Sequence, residues 1–509
     1  YEVTKDQINV QKLTNAIDPV LCAADDECPK GEGVVEVSPD VFVPAPSLDI
    51  FGRGTKTDAE KSYVLFDDQE RTNYDMYHFA ATLAGDIFTL PAGDVGFSAG
   101  AEYRKEKGGV QTSGVVQAGD SGGNFAEPTN GRYDVIEVFS EFSIPILEGA
   151  AFAEELTLDL AGRYSDYDTF GSKGTYKVGL GWSPIAQLKF RGVVSTGYRA
   201  PNILELFGGV ADTFLTVSDP CIASAQADDP NRLANCSADG VSAGFIQNAS
   251  QLKISAGGNE DLDAEESDTW SVGVVWNAEF ANLRVALDWY DVEIDDAIGT
   301  PDPVTVITTC YDSPGGSLSA PECDRIGRGP TGTVVRFDLL NENLAKIETS
   351  GLDLDATYVL DTDFGTFQFN WLLNYLDEYV ETSQTGVVSD RTGLVAGLVS
   401  DWAAYPEYRS NFTTTFTRDA WSVSLTWRYL DEMDVFDVIE FDNIHTKADS
   451  VDYFDLHGTY NIGPWSLQAG VENLTDEEPP YVTDVSANTS GIYDFLGRFY
   501  FARATWALE

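Results

Sequence analysis

The sequence has few basic residues and no long apolar run. Lysine and arginine number 31 against 83 aspartates and glutamates, for a formal net charge of −52 over 509 residues. A chain this acidic repels nucleic acid, because duplex binding depends on cations that neutralise phosphates. No apolar stretch reaches about 18 residues, so no transmembrane helix is expected. The first residues also lack the basic and then apolar pattern of a signal peptide.

Catalytic signatures are lacking as well. The sequence contains no GxSxG, no HExxH and no phosphate-binding glycine–lysine loop. His78, His445 and His457 are its only histidines, and we interpret them as ordinary structural or surface residues rather than ligands. Carboxylates are so abundant that some pair always resembles an acid–base couple. We therefore predict neither an enzyme nor a cofactor.

Cysteine is scarce, and its six residues form three close pairs in polar segments: Cys22/Cys28, Cys221/Cys236 and Cys310/Cys323. Loop-stapling disulfides in an oxidising compartment are the favoured interpretation. Zinc is the alternative, but no CxxC occurs and histidine is rare.

What the sequence does contain is an alternation of apolar and polar residues. In WSVSLTWRY (residues 421–429) every odd position is large and apolar, and similar segments lie at 156–161, 188–194, 352–358 and 367–375. Successive side chains of a strand point to opposite faces, so each segment has one apolar and one polar face. Aromatic residues make up 12% of the chain, which argues against disorder.

About fifteen such segments follow one another, and short connections alternate with long polar ones. The long connections cover roughly residues 110–132, 202–265, 300–344, 384–404, 436–450 and 478–494. Many segments exceed the length of ordinary globular strands. This pattern predicts an all-β, transmembrane antiparallel barrel with long extracellular loops, on which all three cysteine pairs lie.

The strand count also predicts how the chain is divided. Bacterial barrels normally have an even number of strands and both termini in the periplasm. If the last strand ends there, the first one begins outside, near Tyr74. We therefore expect residues 1–73 to form an extracellular region with a strand remnant near residues 1–10, and 74–509 to form barrel strands. An open sheet would expose unpaired edges to lipid, so upstream strands of a barrel of about 22 are expected elsewhere.

Four segments resemble motifs of TonB-dependent receptors. They are YRAPNILELF (198–207), GNEDLDAEES (258–267), VENLTD (471–476) followed by two prolines, and LPAG (90–93) leading to GAEYR (100–104). Their order and spacing agree with the family across most of residues 74–508. Two features depart from it: the chain ends in Glu509 rather than an aromatic residue, and no plug domain or energy-coupling box is found.

The resemblance implies an active importer of the outer membrane of Gram-negative bacteria. Its implied partners are the N-terminal plug and upstream strands of the same receptor, the TonB energy-coupling complex acting through the plug, and outer-membrane lipid and lipopolysaccharide. The solute would be a small molecule or glycan, either an oligosaccharide or an iron–siderophore chelate. A passive porin-like channel and a soluble β-rich carbohydrate-binding protein are the alternatives. Acidity favours surface divalent cations or an adaptation to salt.

Candidate solute-binding residues fall into two groups. The polar phase of the strands contributes four cations to the lumen wall: Arg163, Lys189, Arg191 and Arg199. The two long cysteine-containing loops contribute four aromatic residues that could stack on a sugar or an aromatic chelator: Phe207, Phe214, Phe245 and Tyr311. Loop packing is the alternative role for these aromatic residues, and pairing with a loop carboxylate is the alternative for Arg199.

Overall fold

The computed structural model describes residues 2–17, 30–38, 41–46, 57–314, 318–383, 386, 388–395, 404–435, 447–480 and 491–507. Cys22, Cys28 and His445 lie outside these residues. No helix among those described is long and apolar enough to cross a membrane.

Strands dominate the chain from its first residues to the middle of the sequence. The elements of this half are β1 (Glu2–Ile8), α1 (Val10–Ile17), β2 (Lys30–Ser38), β3 (Val41–Pro46), α2 (Asp58–Val64), β4 (Leu65–Leu90), β5 (Gly93–Gln111), α3 (Gly114–Gln117), β6 (Thr129–Ala150), β7 (Ala153–Tyr167), β8 (Gly171–Ile185), β9 (Leu188–Arg199), α4 (Ile203–Phe207), β10 (Ala211–Thr216), α5 (Arg232–Ala238) and β11 (Gln251–Gly257).

The second half has the same character. Its elements are β12 (Glu265–Ala278), a 3₁₀ turn (Glu279–Ala281), β13 (Leu283–Gly299), α6 (Pro303–Asp312), a second 3₁₀ turn (Pro321–Arg325), β14 (Ile326–Arg328), β15 (Val334–Leu340), β16 (Glu342–Thr362), β17 (Gly365–Ser383), β18 (Val388–Asp390), β19 (Leu394–Val395), β20 (Tyr408–Arg418), β21 (Trp421–Leu430), β22 (Met433–Val435), β23 (Lys447–Ala448), β24 (Val451–Ile462), β25 (Trp465–Glu472) and β26 (Phe499–Trp506).

Among the described residues, fifteen long strands form one antiparallel sheet in which each strand pairs with the next. The order is β4, β5, β6, β7, β8, β9, β12, β13, β16, β17, β20, β21, β24, β25 and β26. Two shorter strands extend it, since β1 pairs with β4 and β18 with β17. The predicted all-β architecture of about fifteen antiparallel strands is confirmed.

The two rims of the sheet differ, as the sequence predicted. Tight turns close one rim, for example at residues 91–92, 186–187, 363–364 and 419–420. The other rim carries the long connections 112–128, 200–264, 300–341, 384–407, 431–450 and 473–498. One connection on that rim, between β7 and β8, is short. The alternation that places long loops on one side of an outer-membrane barrel is therefore present.

The first long strand begins earlier than the sequence predicted. β4 starts at Leu65 and not near Tyr74. The reason is a partner from the start of the chain, because β1 pairs with Leu65 to Arg71 before β5 takes over at Arg71. A strand is present within the segment where a remnant was expected.

The outward face of the sheet is apolar and exposed. Trp421, Val423 and Leu425 alternate along β21 with exposed fractions of 39%, 36% and 42%. Phe79 and Leu83 of β4 are exposed to 67% and 71%. Large apolar side chains exposed over many neighbouring strands are the lipid-facing surface of a membrane barrel.

Aromatic pairs lie at both ends of the strands. Trp465 and Trp506 stack near the short turns, with ring centroids 6.0 Å apart. Tyr375 and Tyr408 stack near the long loops at 4.9 Å. Two such levels correspond to the aromatic girdles found at the two membrane–water interfaces.

Candidate functional site

Two of the long loops fold together into one small domain. Strand β10 pairs antiparallel with β11, β11 pairs in parallel with β15, and β15 pairs antiparallel with β14. Since β10 and β11 come from the loop after β9, and β14 and β15 from the loop after β13, neither loop completes the sheet alone. We call residues 211–257 and 303–340 the cap domain.

The cap domain has a hydrophobic core of its own. Its buried residues are Val217, Cys221, Cys236, Val241, Phe245, Leu252, Ile254, Val306, Ile307, Cys310, Tyr311, Ile326, Phe337 and Leu339. Disulfides join Cys221 to Cys236 and Cys310 to Cys323, as the sequence predicted. A domain of this size needs such staples, because its core alone buries little surface.

Polar contacts also join the two halves of the cap domain. Arg232 of α5 donates two hydrogen bonds to the carboxylate of Asp312 at the end of α6, at 2.6 and 2.7 Å. The side-chain amide of Asn235 donates to the backbone carbonyls of Tyr311 and Ser313, both at 2.8 Å. The two loops are therefore held together by hydrogen bonds as well as by apolar packing.

A buried ion pair lies at the centre of the cap domain. Arg328 donates to both carboxylate oxygens of Asp219 at 2.6 and 2.8 Å, and both side chains are 1% exposed. The same guanidinium donates to the Tyr311 hydroxyl and to the Gly332 carbonyl, both at 2.7 Å. Such a pair is maintained only when its hydrogen bonds are satisfied, so it fixes the relative position of the two loops.

The surroundings of this ion pair shift two pKa values. Burial alone would lower the pKa of Arg328, but the hydrogen bonds and charge of Asp219 raise it above its ordinary range. Burial raises the pKa of the Tyr311 phenol, a change that the Arg328 charge opposes. Both side chains therefore keep their protons over the whole physiological pH range.

The described part of the cap domain carries surface cavities. One, of about 680 Å³, contains Ile222, Ile246, Asn248 and Ser250 in its lining, and no charged side chain lines it. We call it the neutral cavity. Its volume lies within the range of small-molecule sites.

The second cavity, of about 450 Å³, lies between the cap domain and the loop after β5. Phe125 and Phe214 line it together with Lys253, whose ammonium is 2.8 Å from Asp212. We call it the aromatic cavity. Phe214 is 47% exposed, so its ring is available to a ligand.

The loop that carries half of the cap domain is fixed at its base by Arg199. Arg199, the last residue of β9, donates to Glu265 at 2.6 and 2.7 Å and to Glu205 of α4 at 2.9 and 3.0 Å. Glu205 also closes a capping box with Asn202 at the start of α4. Arg199 thus takes the alternative role of pairing with carboxylates of the loop and its end, and it joins the two ends of the loop after β9.

Helix α4 packs on the wall of the sheet through Phe207. A Cβ atom on Gly131 of β6 would lie only 2.0 Å from the Phe207 ring, so any other residue there would displace the ring. Ile203 and Leu206 of the helix join Tyr133 and Tyr167 in a buried cluster. Phe207 therefore has the packing role that the sequence left open for it.

The other predicted lumen cations are engaged in ion pairs. Arg191 donates to both oxygens of Asp288 across the sheet at 2.7 and 2.5 Å. The Lys189 ammonium is 3.5 Å from Glu155. Each pair lies on the polar face of the sheet, where sequence analysis placed these cations.

Arg163 belongs to a larger network on the same face. Its guanidinium is 3.1 Å from Glu102 and 3.2 Å from Glu137. Glu137 also accepts a hydrogen bond from Ser165 at 2.6 Å. These cations of the lumen wall are thus already paired with carboxylates of this chain. Their first role is to stabilise the wall, and solute binding would have to compete with these pairs.

The structure separates the four predicted aromatic residues by role. Phe214 lines the aromatic cavity, and Phe245 forms the floor of the neutral cavity although only 6% of it is exposed. Tyr311 is fully buried, so it stabilises the core and presents no surface to a solute. Sequence analysis did not identify Arg328 and Asp219, because they are 109 residues apart and no local pattern marks their pairing. No group of three metal-ligating side chains occurs in the described part of the chain.

Comparison with known proteins agrees with this architecture. A family model described as the β-barrel of TonB-dependent receptor-like proteins matches residues 44–474, more than half of the chain. The fold is similar to that of a variant of the ferric enterobactin receptor of Pseudomonas aeruginosa in complex with enterobactin, with a TM-score of 0.56 and 16% identity over 87% of this chain and 55% of that one.

Two further receptors share the fold. The siderophore receptor PirA of Acinetobacter baumannii matches with a TM-score of 0.54 and 15% identity, over 87% of this chain and 55% of that one. The ferripyoverdine receptor of Pseudomonas aeruginosa matches with a TM-score of 0.52 and 12% identity, over 87% and 49%. The chain spans about half the length of these solved receptors.

Proposed function

This chain belongs to the TonB-dependent receptor family, and from that premise we propose that it forms most of the barrel of an active importer. The outer membrane is where receptors of this family lie. Its short turns would face the periplasm and its long loops the medium, as in other outer-membrane barrels. The observation that supports import of a specific solute is the cap domain, because a folded domain with its own cavities stands on the long-loop rim.

We propose an iron–siderophore chelate as the solute. The ligands named for the similar solved receptors, enterobactin and pyoverdine, support this class. The aromatic cavity supplies a group suited to it, since the exposed Phe214 ring can stack on an aromatic chelator. The chelate would bind first on the cap domain and then enter the lumen.

Passage through the lumen would require parts that we place outside these 509 residues. We propose that an N-terminal plug and about seven further strands complete the receptor, with residues 1–73 remaining on the extracellular side. The TonB complex would then move the plug and open the path. The paired cations of the lumen wall, such as Arg191 with Asp288, would face that plug, and lipid with lipopolysaccharide would surround the outer face.

An oligosaccharide is the second candidate solute. The observation that favours it is the neutral cavity, whose lining includes Asn248 and Ser250 and no charged group in a chain of net charge −52. Uncharged sugars need hydroxyl and amide partners beside an apolar surface, which Ile222 and Ile246 provide.

Uptake by cells tests the proposal. A strain that lacks its own siderophore receptors would express the receptor and be offered radioactive iron as ferric enterobactin or ferripyoverdine, with and without TonB. We expect TonB-dependent uptake of a chelate, lowered by Phe214→Ala and unchanged by Phe280→Ala, a matched exposed ring at the short-turn rim. Uptake of labelled maltodextrins alone would support the oligosaccharide. Free conductance of the purified receptor in a bilayer would show a passive channel and overturn gated import.

A further inference from the structure

A groove crosses the outward face of the sheet near the short turns. Its walls are formed by Phe364, Phe367 and Phe416 on one side and by Trp421 and Leu425 on the other, and its volume is about 560 Å³. Phe364 is 54% exposed and Trp421 is 39% exposed. The groove is therefore open on the face that meets the membrane, and we call it the aromatic groove.

The wall of the aromatic groove is packed rather than loose. The Phe367 and Phe416 rings are 4.7 Å apart, and the Phe416 and Trp421 rings meet edge to face at 5.5 Å. Gly365 makes room for Phe416, because a Cβ atom there would lie 2.6 Å from the ring and φ is +150°. The groove thus has a shape fixed by its own residues and does not depend on a ligand to form.

A cation stands at the end of this groove. Arg418 is the last residue of β20 and lies opposite Trp421 in the register, on the same outward phase as Phe416. Its side chain is 54% exposed, and its ion-pair partner Asp419, 3.6 Å away, is 84% exposed. An ion pair as exposed as this one contributes little to stability, so the Arg418 guanidinium is available to another anion.

The outward position of Arg418 is unusual for this chain. In the described strands, the other lysines and arginines near short turns are on the inward phase. Lys189 and Arg191 form ion pairs there with Glu155 and Asp288. Arg284 and Arg503 lie opposite Thr357 and Gln468 in the register. A cation on the lipid-facing side is tolerated where a strand reaches the headgroup level, since there it meets phosphate.

A second groove lies on the other side of the ridge formed by Trp421 and Val423. It has a volume of about 630 Å³, and Tyr460 and Leu467 line it above small residues. These small residues come from three neighbouring strands: Gly458, Ala469, Ala502 and Ala504. We call it the shallow groove. Trp421 and Val423 line both grooves, so two apolar channels run side by side.

We propose that Arg418 and the two grooves form a binding site for one glycerophospholipid of the periplasmic leaflet. The phosphate would accept hydrogen bonds from Arg418, and one acyl chain would lie in each groove, on either side of Trp421. Two neighbouring apolar grooves share the ridge of Trp421 and Val423, and Arg418 lines the first groove opposite Trp421. This arrangement matches the shape and charge of a two-chain phospholipid. This proposal requires that the short turns of the barrel face the periplasm, and it does not depend on which solute is imported.

Native mass spectrometry of the detergent-extracted protein, titrated with phosphatidylglycerol, tests this site. We expect one retained lipid in the wild type and retention about fivefold weaker in Arg418→Gln. Ala502→Phe, which fills the shallow groove, and Phe364→Ala, which opens the aromatic groove, should also weaken retention. Arg284→Gln and Phe280→Ala are matched controls, a cation on the inward phase and a turn phenylalanine exposed to 87%, and both should retain the lipid.

Folding is checked in the same samples by the heat-modifiable mobility of the barrel in gels. Equal retention in wild type, Arg418→Gln and Ala502→Phe would overturn the site. Loss of lipopolysaccharide instead of phosphatidylglycerol in Arg418→Gln would overturn the assignment to a glycerophospholipid. Because neither measurement involves uptake, the result is independent of which solute the receptor imports.

Discussion

Removing the Arg328 guanidinium should unfold the cap domain while leaving the barrel intact. Arg328→Met keeps the aliphatic stem but leaves the Asp219 carboxylate buried at 1% exposure. That carboxylate would then keep only the hydrogen bond from the Cys221 backbone amide at 2.9 Å. The Tyr311 hydroxyl and the Gly332 carbonyl would lose a partner as well.

The expected cost is about 3–5 kcal/mol, the range for breaking a buried ion pair by removing one partner. Hydrogen exchange followed by mass spectrometry measures it locally. Backbone amides of β11 and β15 should exchange faster by a factor between roughly one hundred and several thousand, limited by the stability of the cap domain itself. Amides of β12 and β13 should not change.

Two companion variants separate the ion pair from general damage. Arg336→Met removes a cation of the same domain that is 55% exposed, lies 3.6 Å from Asp338 and donates to the Asp324 carbonyl at 2.6 Å, so it should cost only about 1 kcal/mol. The double variant Arg328→Met with Asp219→Leu leaves no unpaired charge of this pair buried. Its amides in β11 and β15 should therefore exchange more slowly than those of Arg328→Met alone. If Arg328→Met exchanged like the wild type in β11 and β15, the assignment of a central structural role to this pair would be refuted.

Three other perturbations have defined outcomes. Replacing Cys310 and Cys323 by alanine opens a loop with a sequence separation of 13 and should lower the stability of the cap domain by about 3 kcal/mol, read from denaturant-dependent exchange. Burial raises the pKa of Tyr493 from 10.0 to about 12. The stability that depends on a protonated Tyr493 is therefore fully present below pH 10 and is lost as the pH rises through about 12. Tyr493→Phe removes the titrating group, so thermal melts of this variant should show a smaller loss of stability at alkaline pH. Gly365→Ala, which collides with Phe416, should lower the barrel melting temperature, whereas Gly463→Ala, with open space around it but φ +55°, should cost only about 1 kcal/mol.

The strands could be predicted from the sequence because their determinants are local. A period of two fixes which face of a segment is apolar, and tight turns such as residues 91–92 and 419–420 fix which segments are neighbours. Arg191 and Lys189 lie on the polar face for the same reason. Even the two cysteine pairs of the cap domain were identifiable, since each joins residues close in sequence.

The cap domain could not be predicted because its determinants are not local. The parallel pairing of β11 with β15 joins residues about eighty positions apart, such as Ser255 and Asp338. Nothing in either loop shows that Tyr311 would be buried, because part of its surroundings, such as Asn235 and Asp239, comes from the other loop. The candidate list therefore included Phe214, which lines a cavity, together with Tyr311, which does not reach the surface.

The parallel pair of β11 and β15 also limits how this receptor can diversify. Surface loops usually vary independently, since each closes on its own hairpin. Here the loop after β9 supplies two strands of a four-stranded sheet, and the loop after β13 supplies the other two. A recombination event that exchanged one loop alone would leave two strands of this sheet without the two strands that complete it. New binding specificities should therefore be inherited, or engineered, as a matched set of both loops.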